Sequence, residues 1–93
     1  MDPVLINKAI EKYNMYRSPE AMAKLLMIGE EGFVVEFSGA FCRSCGVRDW
    51  LEDLIYELRE IDPGADAELV NWEMTSDERI IAEFKMKAAS KTR

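Results

Sequence analysis

The chain has 93 residues, 48% hydrophobic and 32% charged, with a formal net charge of −6. That length leaves room for one domain, 1–93, burying roughly 60–65% of the surface the unfolded chain exposes, and excludes a second. The acidic balance argues against nucleic acid, whose phosphates are held by Lys and Arg. No purely apolar run exceeds four residues, so no membrane-spanning segment is expected.

The opening residues, MDPVLINKAIEK, lack the basic stretch, long apolar core and small-residue cleavage site of an export signal. A cytoplasmic protein is therefore expected, in a compartment where thiols are kept reduced. The composition is thermophile-like: no His, no Gln, three Asn, and many Glu, Lys and Arg.

Asp2 followed by Pro3 marks a helix start, and Val4, Leu5, Ile10 and Tyr13 form its apolar stripe. Ser18-Pro19-Glu20 repeats the start signal. Met22, Leu25, Leu26 and a stop at Gly29 then predict a second helix, making residues 1–30 a helical pair. After Glu30-Glu31-Gly32, the run Phe33-Val34-Val35-Glu36-Phe37 is β-prone and nearly all apolar. From Val47 onward the spacing of Trp50, Leu51, Leu54, Ile55, Leu58 and Ile61 is that of an amphipathic helix. Its opposite face, with Arg48, Asp49, Glu52, Asp53, Glu57 and Arg59, reads as solvated, and Asp62-Pro63-Gly64 ends it.

Leu69 to Met74 and Arg79 to Lys87 alternate in polarity around Thr75-Ser76-Asp77-Glu78 and predict a hairpin. Val70, Trp72 and Met74 are expected on one face with Ile80, Ala82, Phe84 and Met86. Residues 31–87 form the strand–turn–helix–hairpin core, and 88–93 a frayed tail. The order helix-helix-strand-helix-strand-strand predicts an α/β (α+β) two-layer sandwich with a three-stranded mixed sheet and helices on one face. In that arrangement Phe33–Phe37 lies near a sheet edge, covered by the N-terminal helices or by a second copy in a homodimer.

Cys42 and Cys45 are the only cysteines, spaced Cys-x-x-Cys where the apolar strand gives way to the helix. Unpaired amides and the dipole at a helix start favour a thiolate, which makes this pair the candidate catalytic site of a thiol–disulfide redox protein. Cys42 is expected to be the more exposed nucleophile and Cys45 the resolving thiol. Arg43 and Arg48 are the candidate thiolate stabilisers, opposed by Asp49, Glu52 and Asp53. Either Ser44 or Gly46 caps the helix; the second choice leaves both thiols in the loop, where the dipole acts less on them.

The run VVEFSGAFCRSCGVRDWLEDL resembles the strand, Cys-x-x-Cys and helix of thioredoxin-like proteins of the selenoprotein W type. The resemblance implies thiol–disulfide exchange with a protein thiol or disulfide partner and needs no cofactor. The chain departs from thioredoxins in having Phe41 where they have Trp, Arg43-Ser44 where they have Gly-Pro, and no proline after Pro63. The Phe-x-Gly-x-Phe-Cys-x-x-Cys-Gly run from Phe37 to Gly46 is also faintly similar to small archaeal proteins of unknown function, a likeness that implies no activity.

Two rival readings stand beside the redox one. A Cys-x-x-Cys is half of a tetrahedral zinc site, and with no His and no further Cys a single chain would need carboxylates such as Asp49, or two chains would pool four thiolates; no metal site is assigned within one chain. Alternatively the protein is a non-enzymatic interaction or homodimerisation module that uses an apolar edge, with the cysteines structural. The residues alone do not decide whether it is an enzyme.

Overall fold

The computed structural model describes residues 3–43 and 45–87, with the side chain of Arg43 outside the described set; the tail expected at 88–93 lies outside it as well. Helix α1 (Pro3–Arg17) is followed by strand β1 (Met22–Ile28) and strand β2 (Gly32–Ser38). A short 3-10 turn (Ala40–Arg43) leads into helix α2 (Val47–Ile61), and the chain closes with β3 (Ala67–Ser76) and β4 (Arg79–Met86). The strands form one antiparallel sheet in the order β1-β2-β4-β3.

The expected second helix is therefore a strand, and the expected three-stranded mixed sheet is a four-stranded antiparallel one. Taken alone, Met22–Ile28 is rich in Ala, Leu, Met and Lys, all good helix formers. Seven residues barely complete two turns, however, and pairing with β2 satisfies their backbone more fully than so short a helix would. Gly29 N–H donates to the Gly32 carbonyl at 2.8 Å and closes the β1–β2 hairpin. The legible signal was two apolar runs of similar length flanking Gly29-Glu30-Glu31-Gly32, a hairpin pattern.

No parallel pairing exists in the sheet. β2 and β3 run in the same direction, but β4 returns between them and pairs antiparallel with both. Because β1 and β4 flank β2, Phe33–Phe37 lies inside the sheet and offers no edge for a second copy.

One face of the sheet carries the core. Phe33, Val35 and Phe37 of β2, Ile80, Ala82 and Phe84 of β4, and Leu69 of β3 are buried together with Ile6, Tyr13, Leu51, Leu54 and Leu58 of the helices. Such large buried side chains each contribute about 1.5–3 kcal/mol relative to exposure. Phe33 stacks on Phe84 at 5.0 Å, and Tyr13 meets the edge of Phe37 at 5.5 Å. A bulge between Leu69 and Asn71 turns Leu69 inward and leaves Val70 exposed, reversing the expectation for Val70, while Trp72 and Met74 keep register with Ala82 and Ile80.

The β1 edge is guarded by a side chain. Asn14 of α1 accepts from the Ala23 N–H at 2.7 Å and donates to the Ala23 carbonyl at 3.0 Å, the two contacts a further strand would make. Asn14→Ala should therefore lower stability by about 2 kcal/mol, since two partly buried backbone groups lose partners. Chemical denaturation measures this, and a loss indistinguishable from zero would mean that water replaces the amide freely.

At the far end of β2, Gly39 has φ +131°, and a Cβ there would collide with the Glu20 carbonyl, so only glycine fits. That carbonyl accepts the Phe41 N–H at 3.2 Å, and Gly39 N–H donates to Glu78 at 3.1 Å. The chain is thereby fixed as it leaves the sheet toward the two cysteines.

Candidate functional site

Phe41 and Cys42 end the core side of the 3-10 turn, both almost fully buried at 1% and 2% exposure. Phe41 packs against Phe37 at 6.4 Å and Trp50 at 5.6 Å, which draws the turn inward. The Cys42 N–H donates to the Gly39 carbonyl at 3.2 Å. Three residues on, Cys45 is exposed. The sequence expectation of an exposed Cys42 and a more sheltered Cys45 is thus inverted. The cause is local: a 3-10 turn carries Phe41 and Cys42 onto the core side, and the chain has swung back to solvent before α2 begins.

Gly46 caps α2, with φ +77° and no side-chain cap. Of the two arrangements left open by the sequence, this one puts both cysteines ahead of the helix. A left-handed residue at this position favours glycine and explains why Gly46 follows Cys45 directly. The Asp49 N–H donates to the Gly46 carbonyl at 3.0 Å and starts the helical ladder.

Of the two candidate thiolate stabilisers, Arg48 has its side chain 59% exposed and paired with Glu52 at 3.2 Å. The Arg43 side chain lies outside the described residues. Asp49 is exposed in the first turn of α2.

A polar cluster missed by the sequence reading lies between α1 and α2. Glu57, expected on a solvated face, is 4% exposed, and Arg17 binds it at 2.8 Å and Asp53 at 3.4 Å, with Lys12 3.8 Å from Glu57. The Arg17 guanidinium lies 4.6 Å from the centre of the Tyr13 ring. The Tyr13 hydroxyl donates to the Trp50 carbonyl at 2.8 Å. Burial raises the Tyr13 phenol well above its ordinary value; Arg17 counteracts this, and Asp53 and Cys42 add to it. Tyr13 consequently stays a neutral donor beside the buried cysteine. No local sequence pattern marks Glu57, because its burial depends on where α1 comes to lie.

Arg59 and Asp66 form a second polar site where α2 meets β3. Asp66 accepts from Arg59 at 2.7–2.8 Å, with Lys87 at 3.9 Å, and Arg59 holds its carboxyl below the ordinary value of 3.8. A depressed folded-state value means that this stabilisation is present above the unfolded value and is lost as pH falls through the folded one. Asp66→Asn should therefore flatten the stability profile below about pH 4 and leave the neutral-to-alkaline limb parallel to wild type. Thermal melts across pH 2–6 test this; identical acid limbs would show that the Arg59 contact carries no linkage.

No known family profile matches the chain, and no curated protein matches it. A solved H-NOX family structure, from work probing the function of heme distortion in that family, is similar at a TM-score of 0.50 and 14% identity. The match covers 96% of this chain and 50% of that one, so the chain spans about half the length of the protein it matches. At this identity the likeness is one of fold alone. It overturns the thioredoxin-like, selenoprotein W type resemblance, as does the antiparallel β1-β2-β4-β3 sheet in place of the predicted mixed one.

Among the described residues, no helix is long and apolar enough to cross a membrane, and no group of three or more His, Cys, Asp or Glu is arranged to hold a metal ion.

Proposed function

We propose that this chain is a cytoplasmic dithiol protein that exchanges disulfides through Cys45, with Cys42 as the resolving thiol. The observation that carries the reading is the asymmetry of the pair: Cys45 is exposed just ahead of α2, and Cys42 is buried three residues earlier. An incoming disulfide reaches only the first. The Cys45 thiolate attacks one sulfur of a protein disulfide, forming a mixed disulfide and expelling the other sulfur as a thiolate. The Cys42 thiolate then attacks the Cys45 sulfur, releasing the second partner thiol. Two electrons pass to the substrate, Cys42 and Cys45 end as a disulfide, and a cellular dithiol restores them.

Titration of the purified protein in glutathione buffers, read by alkylation and mass, tests the proposal. A reversible two-electron transition at roughly −220 to −320 mV is expected. Thiols that stay unchanged across that range would refute it. A shared zinc site fits less well, because a cysteine at 2% exposure cannot reach a metal held between two chains.

The second reading, an interaction module, is favoured by the exposed Met22, Leu26 and Met27 of β1. It requires a partner or self-association that survives in the Cys42→Ser/Cys45→Ser variant; a strictly monomeric, unpartnered variant counts against it.

A further inference from the structure

Tyr13 of α1 holds both flanks of the cysteine turn. Its ring meets the edge of Phe37 at 5.5 Å, and Phe37 in turn packs against Phe41, the residue before Cys42. Its hydroxyl donates to the Trp50 carbonyl at 2.8 Å, in the first turn of α2, and the Trp50 ring lies 5.6 Å from that of Phe41. The Tyr13 side chain is fully buried, and Cys42 is near enough for its charge to act on the phenol.

The hydroxyl is not needed to satisfy the helix. A carbonyl in the first turn of α2 has a partner in the amide four residues on, so phenylalanine would fill the same space and strand no acceptor. What the hydroxyl adds is a fixed position for the start of α2 relative to β2. Between those two anchors the turn runs from Phe41 and Cys42, held in the core, to the Gly46 cap, and Cys45 lies inside that short span.

We infer that Tyr13 is a positioning residue for the dithiol: by tying Trp50 to α1 it fixes Cys45 within reach of Cys42 for the resolving step. The inference rests on the dithiol reading. In that step the Cys42 thiolate displaces the partner sulfur from Cys45, so its rate and the stability of the resulting disulfide both follow the effective concentration of one sulfur at the other. A looser start to α2 lowers that concentration and makes the Cys42–Cys45 disulfide easier to reduce.

Glutathione titration of wild type and Tyr13→Phe, read by alkylation and mass, tests the inference. Tyr13→Phe should destabilise the disulfide about tenfold, a rise of about 30 mV for two electrons. The mixed disulfide with glutathione should persist about tenfold longer than in wild type. The melting temperature of the reduced variant should fall by about 5 °C or less, since a single hydrogen bond is lost and no acceptor is stranded. Ile6→Val, a core change about 10 Å nearer the start of α1, should leave the potential and the mixed-disulfide lifetime at wild-type values. A disulfide in Tyr13→Phe as stable as in wild type, or an equal shift in Ile6→Val, would overturn the inference and leave the dithiol reading standing. A wild-type protein with no transition at all would remove both.

Discussion

Cys45→Ser should abolish disulfide exchange, while Cys42→Ser should keep the first step and stall at the second. Cys45 is exposed and Cys42 is 2% exposed, so only the former meets a substrate sulfur. Without Cys45 no mixed disulfide forms, and turnover should drop by about a hundredfold or more, to the level of uncatalysed thiol exchange. Without Cys42 the mixed disulfide forms and persists, and should accumulate to near stoichiometry on non-reducing gels.

Stability separates the two variants as well. Serine at the exposed position should cost close to nothing, whereas at position 42 it buries a hydroxyl among Tyr13, Phe41 and other core side chains, at about 1–3 kcal/mol. Cys42→Ala is the control for this, removing the thiol without burying a new polar group. If Cys42→Ser abolished the first step while Cys45→Ser preserved it, the assignment of roles would be wrong. If both variants retained full exchange, the dithiol reading itself would fall.

Arg17→Ala should be the most destabilising single change to a charged residue, at about 3 kcal/mol, because it strands the carboxylate of Glu57 between α1 and α2. The Arg17 side chain is 15% exposed and the Glu57 side chain 6%, so solvent screens this pair far less than the surface pairs of Arg48 and Arg79. Lys12, 3.8 Å from Glu57, offers partial compensation and keeps the cost near the lower end of the range for a broken buried pair. Loss of the guanidinium over the Tyr13 ring adds about 0.5–1 kcal/mol.

Removing both charges should recover most of that loss. An Arg17→Met/Glu57→Leu variant replaces the pair by apolar volume and should lie within about 1 kcal/mol of wild type. Denaturant melts of the two single variants and the double variant measure the coupling. Additive losses would show that the two side chains do not act as a pair. The same variants test what α1 does for Cys42: Arg17→Ala should speed alkylation of Cys42 by loosening α1, whose Tyr13 lies beside it, with Cys45 unchanged.

Several elements are local properties of the sequence. The α2 stripe from Val47 to Ile61 repeats at helical period, and Asp62-Pro63-Gly64 stops it, so the helix is readable without its neighbours. The β3–β4 hairpin follows from alternation on either side of a turn, and the start of α1 from Pro3 at its first position, the expected cap Asp2 lying outside the described residues. The Cys-x-x-Cys spacing ahead of α2 is likewise visible in the primary structure.

Tertiary structure decided what those local rules leave open. Met22–Ile28 favours a helix by composition and becomes a strand only because β2 lies alongside to take its hydrogen bonds. Its presence moves Phe33–Phe37 from a sheet edge to the interior, which removes the surface expected for a second copy. Glu57 sits on the polar side of α2 by periodicity, yet the packing of α1 makes it one of the most buried charges in the chain. Which cysteine faces solvent was settled by Phe41, whose anchoring among Phe37 and Trp50 carries Cys42 inward with it. Periodicity states which side chains share a face; the burial of that face depends on segments returning from far along the chain, a relation that local spacing does not encode.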